Sequence, residues 1–406
     1  MKKFLFVLPC FPWPLTTGGD QGVFNSIRAV CSYAEVHIAY YAGQHDSAAR
    51  YHDEFRRSLG GKVEIHPYMD HPLKWTAGDA CRKIGNKIFK RADHLSYMLF
   101  TRLHDAAYYD FVNSLITAYG IDLVQVEFAE NLDFALTLPA GVKRVFVHHE
   151  LRFVRNARLL EQYAANTYNR ALAEEEKAKE IALLNRFDLV LTVSEADRAK
   201  LLEAGVTVPV QASFSICNTG VSDAPASAGG HRISFVGPDA HYQNKLGLGW
   251  FLCNVWPLLK ERDDAFRLEV FGQWHKSAAA AISRRYKDVS FRGFVDDLPS
   301  AIQGSTMAVP VLIGSGIRMK ILEAMAAGIP FVSTTVGAEG LPVEDGVQGF
   351  LADDPAGFAD ALIRAEDPAI RKSMAEQGRK LVRERYSPEA LARSKREACE
   401  KLLGEL

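Results

Sequence analysis

The sequence predicts an α/β chain that contains two parallel-sheet domains. Short apolar runs alternate with helical patterns through the first half, and the same alternation restarts after a small, polar and breaker-rich stretch at residues 222–230. Near-continuous apolar strands that alternate with helices are typical of parallel sheets, whose two faces are covered by the crossover helices. The length of 406 residues is sufficient for two or three domains.

The composition is that of a globular protein and excludes several function classes. Apolar residues make up 48% of the chain, and 48 basic residues face 49 acidic ones for a net charge of −1. A protein that coats nucleic acid is usually clearly basic, so that class is not expected. No apolar run approaches the ~20 residues that a membrane span needs. The six cysteines are scattered without metal-site spacing, which favours free thiols in a reducing compartment over a disulfide or metal role.

The first element is predicted to be a buried strand, Lys3–Leu8. The start of the chain also imitates a signal peptide, but Pro9, Pro12 and Pro14 interrupt its apolar run, so we favour the strand. Further strands of the first domain are predicted at Glu35–Tyr40, Lys62–His66, Ile121–Glu127, Arg144–His148, Leu189–Val193 and Ser213–Cys217. Helices are predicted at Gln21–Tyr33 and, as one long helix, from about Asn156 to Asn185.

The stretch at 222–230 is predicted to be the domain linker, because small and polar residues with proline and glycine break regular structure. Strands then follow at Ile233–Val236, Arg267–Phe271, Val289–Phe291, Met307–Pro310, Pro330–Ser333 and Gly349–Leu351. Helices follow at Leu246–Lys260, Ser277–Tyr286, Met319–Ala327 and Gly357–Ala365. The predicted domains are residues 1–221 and 222–385, and an amphipathic helix at about 386–406, from Pro388, is expected to pack back on the first domain.

The clearest chemical signal is a strand, a glycine loop and a helix within residues 309–328. The strand ends near Pro310, a Gly-Ser-Gly loop follows, and the helix begins near Arg318. Free backbone N–H groups at a helix start favour a phosphate. Arg318 and Lys320 are expected in the first turn, where cations are unfavourable unless an anion compensates them. This pattern indicates a bound diphosphate.

Glu323 is the polar exception on an otherwise apolar helix. Its carboxylate could accept hydrogen bonds from a ribose diol. The alternative is a capped turn with a solvent-exposed glutamate, and spacing alone does not decide between the two.

The ordered set of motifs resembles the retaining GT-B glycosyltransferases of family GT4, the "glycosyl transferases group 1". Each motif is weak alone, but together they cover nearly the whole chain in the right order. They are Pro12–Gly19, Phe187–Glu195, Cys217–Val221, Phe235–Pro238 with Asn244 and Lys245, Phe291–Leu298, Gly316–Gly328, Thr334–Leu341 and Asp345–Leu351. One position departs from the pattern: the family commonly has two glutamates eight positions apart, and here Ser315 stands in place of the first.

The resemblance implies a GT-B fold, in which two Rossmann-like domains face each other across a cleft. It implies a nucleotide-sugar donor, UDP- or GDP-linked, on the second domain and an acceptor mainly on the first. It also implies retention at the anomeric carbon, with no metal ion and no cofactor. The missing glutamate removes the usual contact to the donor sugar and leaves the sugar unassigned.

The resemblance and the chemistry of transfer together define the candidate site residues. Cations must stabilise the departing diphosphate if no metal does so, and a histidine at a strand end can bind the sugar or take a proton. Catalytic candidates are His149, Lys320 and Arg318. Donor-binding candidates are Gly18, Gly19, Gly237, Asn244, Lys245, Gly316, Ile317, Glu323 and Glu339. Acceptor-side candidates are Glu127, for which a surface carboxylate is the alternative, and His148.

The segment at 74–102 mixes basic and apolar side chains. This mixture suits an anionic membrane surface, and a solvated helix over the first sheet is the alternative. We therefore expect a cytoplasmic protein, with peripheral contact at the inner face of the membrane as an extension of that expectation.

The expected function is sugar transfer to a glycan, lipid-linked or small-molecule acceptor in bacterial cell-surface polysaccharide assembly. A GT-B epimerase or phosphorylase and a non-catalytic nucleotide-sugar-binding protein are the alternatives, and Ser315 supports the last of these best. The sequence lacks a Gly-x-Gly-x-x-Gly motif and a Walker lysine, so a dehydrogenase or P-loop ATPase is not expected.

Overall fold

The computed structural model describes residues 1–43, 46–69, 106–163, 166–213, 221–222 and 229–404, without the side chains of 162 and 163. The chain divides into two compact units, Met1–Ser215 with Pro388–Leu406, and Ile216–Ser387. The predicted membrane segment at 74–102 and residues 223–228 of the predicted linker lie outside the described residues.

The first unit contains a parallel sheet with seven described strands. The strands lie side by side in the order β3-β2-β1-β4-β5-β6-β7, and all of them are parallel. The chain adds β2 and β3 on one side of β1 and then adds β4 to β7 on its other side, so the order of strands reverses between β1 and β4. Ligands of open parallel sheets bind beyond the carboxyl ends of the strands at such a reversal. In chain order the strands are β1 (Lys3–Leu8), β2 (Glu35–Tyr41), β3 (Val63–Tyr68), β4 (Leu123–Glu127), β5 (Lys143–His148), β6 (Leu189–Thr192) and β7 (Val210–Ala212).

The predicted strand at Ser213–Cys217 is placed too late, because β7 ends at Ala212; residues 214–217 lie outside the described residues. The single long helix predicted from Asn156 is also wrong. It is two helices, and the second begins after Asn166, whose side chain accepts a hydrogen bond from the Asn169 N–H at 2.9 Å. The helices of this part are α1 (Gly18–Val30), α2 (His52–Ser58), α3 (Ala106–Tyr119), α4 (Arg152–Tyr163), α5 (Thr167–Leu184) and α6 (Glu195–Glu203). Short 3-10 helices lie at Ala49–Tyr51 and Ala129–Leu136.

The second unit contains a parallel sheet with six described strands in the order β10-β9-β8-β11-β12-β13. All six predicted strands are confirmed within two residues at each end. They are β8 (Arg232–Val236), β9 (Arg267–Phe271), β10 (Val289–Gly293), β11 (Thr306–Val309), β12 (Phe331–Ser333) and β13 (Phe350–Leu351).

The helices of the second unit follow the predicted pattern with three differences. The predicted helix at Leu246–Lys260 starts earlier, at Tyr242, and passes through a π-helical turn at Phe251–Val255. The other two differences are the helices at Leu298–Ala301 and Pro368–Arg385, which the sequence analysis does not predict. The helices are α7 (Tyr242–Trp250), α8 (Trp256–Arg262), α9 (Lys276–Arg285), α10 (Leu298–Ala301), α11 (Met319–Ala327), α12 (Pro355–Arg364) and α13 (Pro368–Arg385).

The helix α14 (Pro388–Leu403) belongs to the first unit. Its Ala398 and Cys399 are buried in the same apolar cluster as Val23 and Ile27 of α1 and residues of β1, β4 and β5. Two helices that are far apart in the chain therefore cover one face of the first sheet. Among the helices in the described part of the chain, none has both the length and the apolarity to cross a membrane.

Candidate functional site

In the second unit, the candidate donor residues follow three neighbouring strands. Gly237 comes directly after β8, the glycine loop at 310–318 follows β11, and the loop that contains Glu339 follows β12. Because β8, β11 and β12 are adjacent and parallel, these three segments lie at the same edge of the sheet. The fold therefore places the predicted donor loops where such sheets bind ligands.

Lys320, in the first turn of α11, is fixed at this edge by two acceptors. Its ammonium group donates to the carbonyl oxygen of Val236 at the end of β8, and to Oδ1 of Asn244 at 3.2 Å. Asn244 in turn donates from Nδ2 to the carbonyl oxygen of Pro238 at 2.8 Å, so its oxygen points to the lysine. The result is a cation held by the first strand, α7 and α11 of the unit.

The pKa of the Lys320 ammonium group is unusually low. The residue keeps part of its surface exposed, yet its pKa is lowered to about 8. Desolvation of the charged end is the main cause, the positive charge of Arg318 acts in the same direction, and the negative charge of Glu323 opposes the shift. Such a group gains most from a nearby anion, because the anion replaces the water that burial removes.

Gly237 makes room for this arrangement. Its φ angle of 146° lies in the region that favours glycine, and a Cβ atom there would lie 2.4 Å from Nδ2 of Asn244. A side chain at this position would displace the asparagine that orients Lys320.

Arg318 folds back over the glycine loop. Its Nη1 atom donates to the carbonyl oxygens of Ser315 at 2.6 Å and of Gly316 at 3.1 Å. A Cβ atom on Gly314, whose φ is 134°, would lie 2.4 Å from Nη2 of this arginine. Because α11 begins at Met319, Arg318 is its N-cap residue, and the prediction that Arg318 lies in the first turn is wrong. In this conformation its guanidinium orders the loop.

The remaining donor candidates differ in how far they are buried. Glu323 is half-buried one turn after Lys320, which disagrees with the alternative of a solvent-exposed glutamate. Ile317 and Glu339 are half-buried too, and Gly316 has a left-handed φ of 76°. Lys245 is exposed on α7. Ser315 is buried, with only 2% of its surface exposed.

In the first unit, Glu127 and His149 form a hydrogen-bonded pair at the carboxyl ends of β4 and β5. The Nε2 atom of His149 lies 2.6 Å from Oε2 of Glu127. Glu127 is fully buried, so the alternative of a surface carboxylate is wrong. Its other oxygen accepts a hydrogen bond from Gln125, which also donates to Ser26 of α1 at 2.9 Å.

The ring of His149 is held in place by its neighbours. The ring of Phe128 stacks on it with centroids 4.2 Å apart and an angle of 18° between the planes. A carboxylate that accepts from Nε2 favours the tautomer with its proton on Nε2, which leaves Nδ1 as an acceptor. Phe128 has a φ of 66°, a strained value for a bulky residue, and such strain clusters at functional sites.

The predicted glycine loop at Gly18 and Gly19 is the first turn of α1. Thr17 is the N-cap and forms a capping box with Asp20, with bonds of 3.1 Å and 2.9 Å between side chain and backbone N–H. A Cβ atom on Gly19 would lie 3.2 Å from the Phe128 ring, so a glycine lets this helix start approach the aromatic ring that stacks on His149. The structure thus joins Gly19, Glu127 and His149 through Phe128.

His148 has a different environment from His149. Only 1% of its surface is exposed, and its Nε2 atom lies 2.6 Å from Oε1 of the buried Glu180 on α5. Glu180 also accepts from the backbone N–H of Phe153 at 3.2 Å. The pair ties β5 to two helices, and burial removes His148 from direct access by an acceptor.

Sequence reasoning missed Glu180, although a signal was present. Glu176, Glu180 and Leu184 recur at intervals of four along α5 and are all buried. Two acids on the buried stripe of a helix indicate buried polar partners, because ionised groups are rarely buried unless they are paired.

Part of the chain matches a known family model. Residues 230–367 match the family model described as "Glycosyl transferases group 1". The second unit resembles glycosyltransferases. The aligned parts of two curated relatives are short. One is a 44.6 kDa protein in the cps region of Klebsiella pneumoniae, 26% identical over 140 residues, which are 32% of this chain and 36% of that protein. The other is N-acetyl-alpha-D-glucosaminyl L-malate synthase of Bacillus anthracis, 28% identical over 106 residues, 25% of this chain and 28% of that one.

The chain therefore spans about a third of the length of the curated relatives it matches.

Solved structures match over almost the whole chain. HepE of Anabaena in complex with UDP has a TM-score of 0.66 at 16% identity and covers 99% of this chain and 100% of its own. Sucrose-phosphate synthase of Thermosynechococcus elongatus has a TM-score of 0.73 at 15% identity and covers 99% of both chains. The two α/β units thus have the GT-B fold.

Proposed function

We propose that this protein is a retaining glycosyltransferase of family GT4 that uses a nucleotide-diphosphate sugar. The observation that carries the proposal is Lys320, a desolvated cation held by Val236 and Asn244 at the start of α11, within the residues that match the family model. A diphosphate at this helix start would meet backbone N–H groups and an ammonium group together.

The reaction breaks the bond between the anomeric carbon and the diphosphate oxygen and forms a bond from the same face to an acceptor hydroxyl oxygen. The acceptor hydroxyl loses its proton, and the diphosphate departs with extra negative charge. We propose that Lys320 stabilises that charge and that Arg318 joins it by exchanging the loop carbonyls for diphosphate oxygens. We propose that these cations act without a metal ion and that no cofactor takes part.

Glu323 is proposed to bind the ribose of the donor. It lies one turn beyond Lys320 on α11, the helix whose start is proposed to bind the diphosphate. A half-buried carboxylate can accept two hydrogen bonds from a ribose diol. The names of two similar structures include UDP and UDP-glucose, which supports a UDP-sugar as the first donor to test.

His149 in the first unit is proposed to bind the transferred sugar or to accept the acceptor proton through Nδ1. Its Nε2 side is taken by Glu127. The acceptor is proposed to be a glycan, lipid-linked or small molecule of bacterial surface-polysaccharide assembly, since one relative is named for the cps region. We propose a cytoplasmic location, with contact to the inner membrane face through residues 74–102.

Binding of nucleoside diphosphates tests the donor assignment. UDP, GDP and ADP are each added to the protein, and the unfolding temperature is measured with calorimetry as a second readout. We expect one of them to stabilise the protein, since a ligand at 100 times its Kd adds about 2.7 kcal/mol. Lys320→Ala should weaken that effect, and Lys372→Ala, which removes an exposed lysine of α13, should not. No response to any nucleotide would contradict the proposal.

A non-catalytic nucleotide-sugar-binding protein is the second candidate. The observation in its favour is Ser315, which is buried at the position where the family commonly has a glutamate. Incubation of the protein with the nucleotide sugar that binds best distinguishes this candidate from the glycosyltransferase. Slow release of the nucleoside diphosphate, lost in Lys320→Ala, supports the enzyme, whereas tight binding without any release supports the second candidate.

A further inference from the structure

The second unit carries a polar groove on one face of its sheet. On β9, Arg267 and Glu269 alternate with Leu268 and Val270, which belong to the apolar core, and β10 alternates in the same way. Parallel sheets are normally covered by helices on both faces. The connection from β10 to β11 contains only the four-residue helix α10, which is too short to cover the neighbouring strands. A polar face of β9 and β10 therefore stays open.

The groove on this face has the size of a small-molecule site. Its volume is about 550 Å³, within the usual range for ligand pockets. Four of the side chains that line it are cations: Arg232, Arg267, Lys287 and Arg292. The others are Glu269, Asp288 and Ser290. Ligand pockets are mostly apolar, so a lining of charged groups and one hydroxyl indicates an ionic ligand.

The groove is separate from the donor loops of the same sheet. Arg232 and Arg267 are the first residues of β8 and β9, whereas the donor loops follow the last residues of their strands. Lys320 bonds to Val236 at the other end of β8. The five residues of β8 span about 13 Å. A ligand in the groove would therefore occupy a different place from a diphosphate at Lys320.

Glu269 holds two of the arginines in place. Arg292 donates to its Oε1 atom from Nε at 2.9 Å and also from Nη2. Arg232 donates to its Oε2 atom from Nε at 3.1 Å and also from Nη2. Burial alone would raise the pKa of Glu269, but the hydrogen bonds from the two arginines outweigh it, and the pKa is lowered. Both guanidinium groups are thus ordered without a ligand, which reduces the entropy lost on binding.

The charges that line the groove do not balance. Four cations face two carboxylates, which leaves a surplus of two positive charges. Asp288 pairs with Arg267 at 3.2 Å and with Lys260 at 2.9 Å. Lys260 is not part of the lining, and it has a second partner in Asp264 at 2.7 Å. The surplus in the groove is therefore available to an anion.

Several hydrogen-bond donors in the groove are also available. Within the described part of the chain, the side chains of Lys287 and Ser290 make no hydrogen bond or ion pair. Arg292 uses its Nε–Nη2 edge for Glu269, so its end-on edge stays open to two oxygens of a ligand. The side chains of Arg267 and Arg292 are each 53% exposed. A ligand from solution can reach them.

We propose that this groove binds a phosphate group, either of a soluble phosphate compound or of an anionic lipid head group. A phosphate monoester carries a charge of about −1.5 to −2 at pH 7, which matches the two surplus positive charges. The fork of Arg292 fits two phosphate oxygens, Lys287 adds a charge, and Ser290 adds a hydroxyl donor. The site does not depend on the proposed donor site or on sugar transfer.

The test compares two double variants that each remove two positive charges. Lys287→Gln with Arg292→Gln changes the groove, whereas Arg284→Gln with Arg285→Gln removes two exposed charges of α9 outside its lining. Inorganic phosphate is added at constant ionic strength, and the amide NMR signals of β10 give the Kd. We expect the Kd to rise about tenfold or more in the groove variant, the scale of lost bonds to a charged group, and to stay unchanged in the α9 variant.

Vesicles distinguish the two sources of the phosphate group. Sedimentation is measured with phosphatidylcholine vesicles that contain or lack phosphatidic acid. A loss of binding to the acidic vesicles in the groove variant alone would support the site and identify a lipid head group. A higher Kd for inorganic phosphate with unchanged vesicle binding would support the site and identify a soluble ligand.

The proposal would be overturned if phosphate did not shift the β10 signals and the groove variant bound vesicles like the original protein. Equal losses in the two double variants would also overturn it, because they would show a general effect of charge. If the double groove variant does not fold, Lys287→Gln alone replaces it, since its side chain has no described partner to lose. Nucleoside diphosphate binding should stay unchanged in Lys287→Gln, so failure here leaves the proposed function intact.

Discussion

Arg318 donates from Nη1 to the carbonyl oxygen of Ser315 at 2.6 Å, so the glycine loop encloses a cation from its own chain. The same atom also reaches the carbonyl oxygen of Gly316. A loop expected to hold an anion is therefore already ordered by a positive charge that points into it. A diphosphate at this place would replace the loop carbonyl oxygens as the acceptor of the Arg318 N–H groups.

The first prediction concerns turnover. The transition state places more negative charge on the diphosphate than the bound donor has, so Lys320 should matter more for turnover than for binding. Lys320→Ala should lower kcat about 100-fold, which corresponds to roughly 2.7 kcal/mol, with a smaller change in donor affinity. Transfer rates and calorimetry with the same donor measure the two effects, and Lys372→Ala is the control.

The same preparation tests the absence of a metal requirement. EDTA should change the rate little, because the cations take the place of a metal. A strict requirement for Mg²⁺ or Mn²⁺ together with near-normal Lys320→Ala activity would show that the leaving group is stabilised by other means.

The second prediction is a pH dependence. The pKa of Lys320 is lowered from its ordinary value of 10.5 to about 8, so its positive charge is lost as the pH rises through that value. kcat/KM, which reports the free enzyme, should therefore fall above about pH 8. Lys320→Arg should lose this limb, since arginine stays charged over the whole range. A flat profile to pH 9.5 in the original protein would rule out Lys320 as the group that titrates.

The third prediction concerns Glu323. Glu323→Ala should weaken binding of the nucleoside diphosphate by roughly 1.5–3 kcal/mol, the scale of hydrogen bonds to a charged group. Glu323→Gln should be milder because an amide still accepts one bond. Calorimetry provides the measurement. A 2′-deoxynucleotide lacks one hydroxyl of the ribose diol, so its affinities for the original protein and for Glu323→Ala should differ less than those of the ribonucleotide. Unchanged affinity in a folded Glu323→Ala protein would remove Glu323 from the ribose site.

The fourth prediction concerns two glycines on α7. A Cβ atom on Gly247 would lie 2.3 Å from the carbonyl oxygen of Pro310, whereas one on Gly249 meets nothing within 4 Å. Gly247→Ala should therefore lower the free energy of unfolding by about 1–3 kcal/mol through overpacking. Gly249→Ala should raise it by about 0.5–1 kcal/mol, because alanine is the better helix former. Denaturant unfolding of both variants measures the difference, and equal effects would contradict the close approach of α7 to β11.

The fifth prediction tests the membrane contact proposed for the basic segment. Removal of positive charges at Lys83, Lys87, Lys90 and Arg91 should weaken binding to anionic vesicles by about 1 kcal/mol per charge, less at high salt. Vesicle sedimentation measures the binding. Equal binding to neutral and anionic vesicles, or none to either, would favour a solvated helix.

Strong local signals made much of the fold predictable. The bounds of α11 are as predicted, because an apolar helical pattern ends at Gly328, whose φ of 71° suits a glycine after a helix. The break at Asn166 was missed, since a capping asparagine inside a continuous helical pattern has no effect on its periodicity.

The site was predictable in part for the same reason. Position after a strand identified His148, His149 and Glu127, but not what each one touches. Neighbouring residues at a strand end point in different directions, so His148 reaches Glu180 and His149 reaches Glu127. The packing around Glu127 includes α1, which is far from it in the chain and reaches it through Gln125 and Ser26.

The position of α14 also sets the order in which the protein can be completed on the ribosome. The apolar cluster around Val23 and Ile27 is closed by residues that follow the whole second unit in the chain. At about 5–20 residues per second, synthesis of that unit takes roughly 10–30 s. During that time the part of the apolar face that α14 covers in the complete protein is exposed. A chaperone or an incorrect partner can bind there in this period.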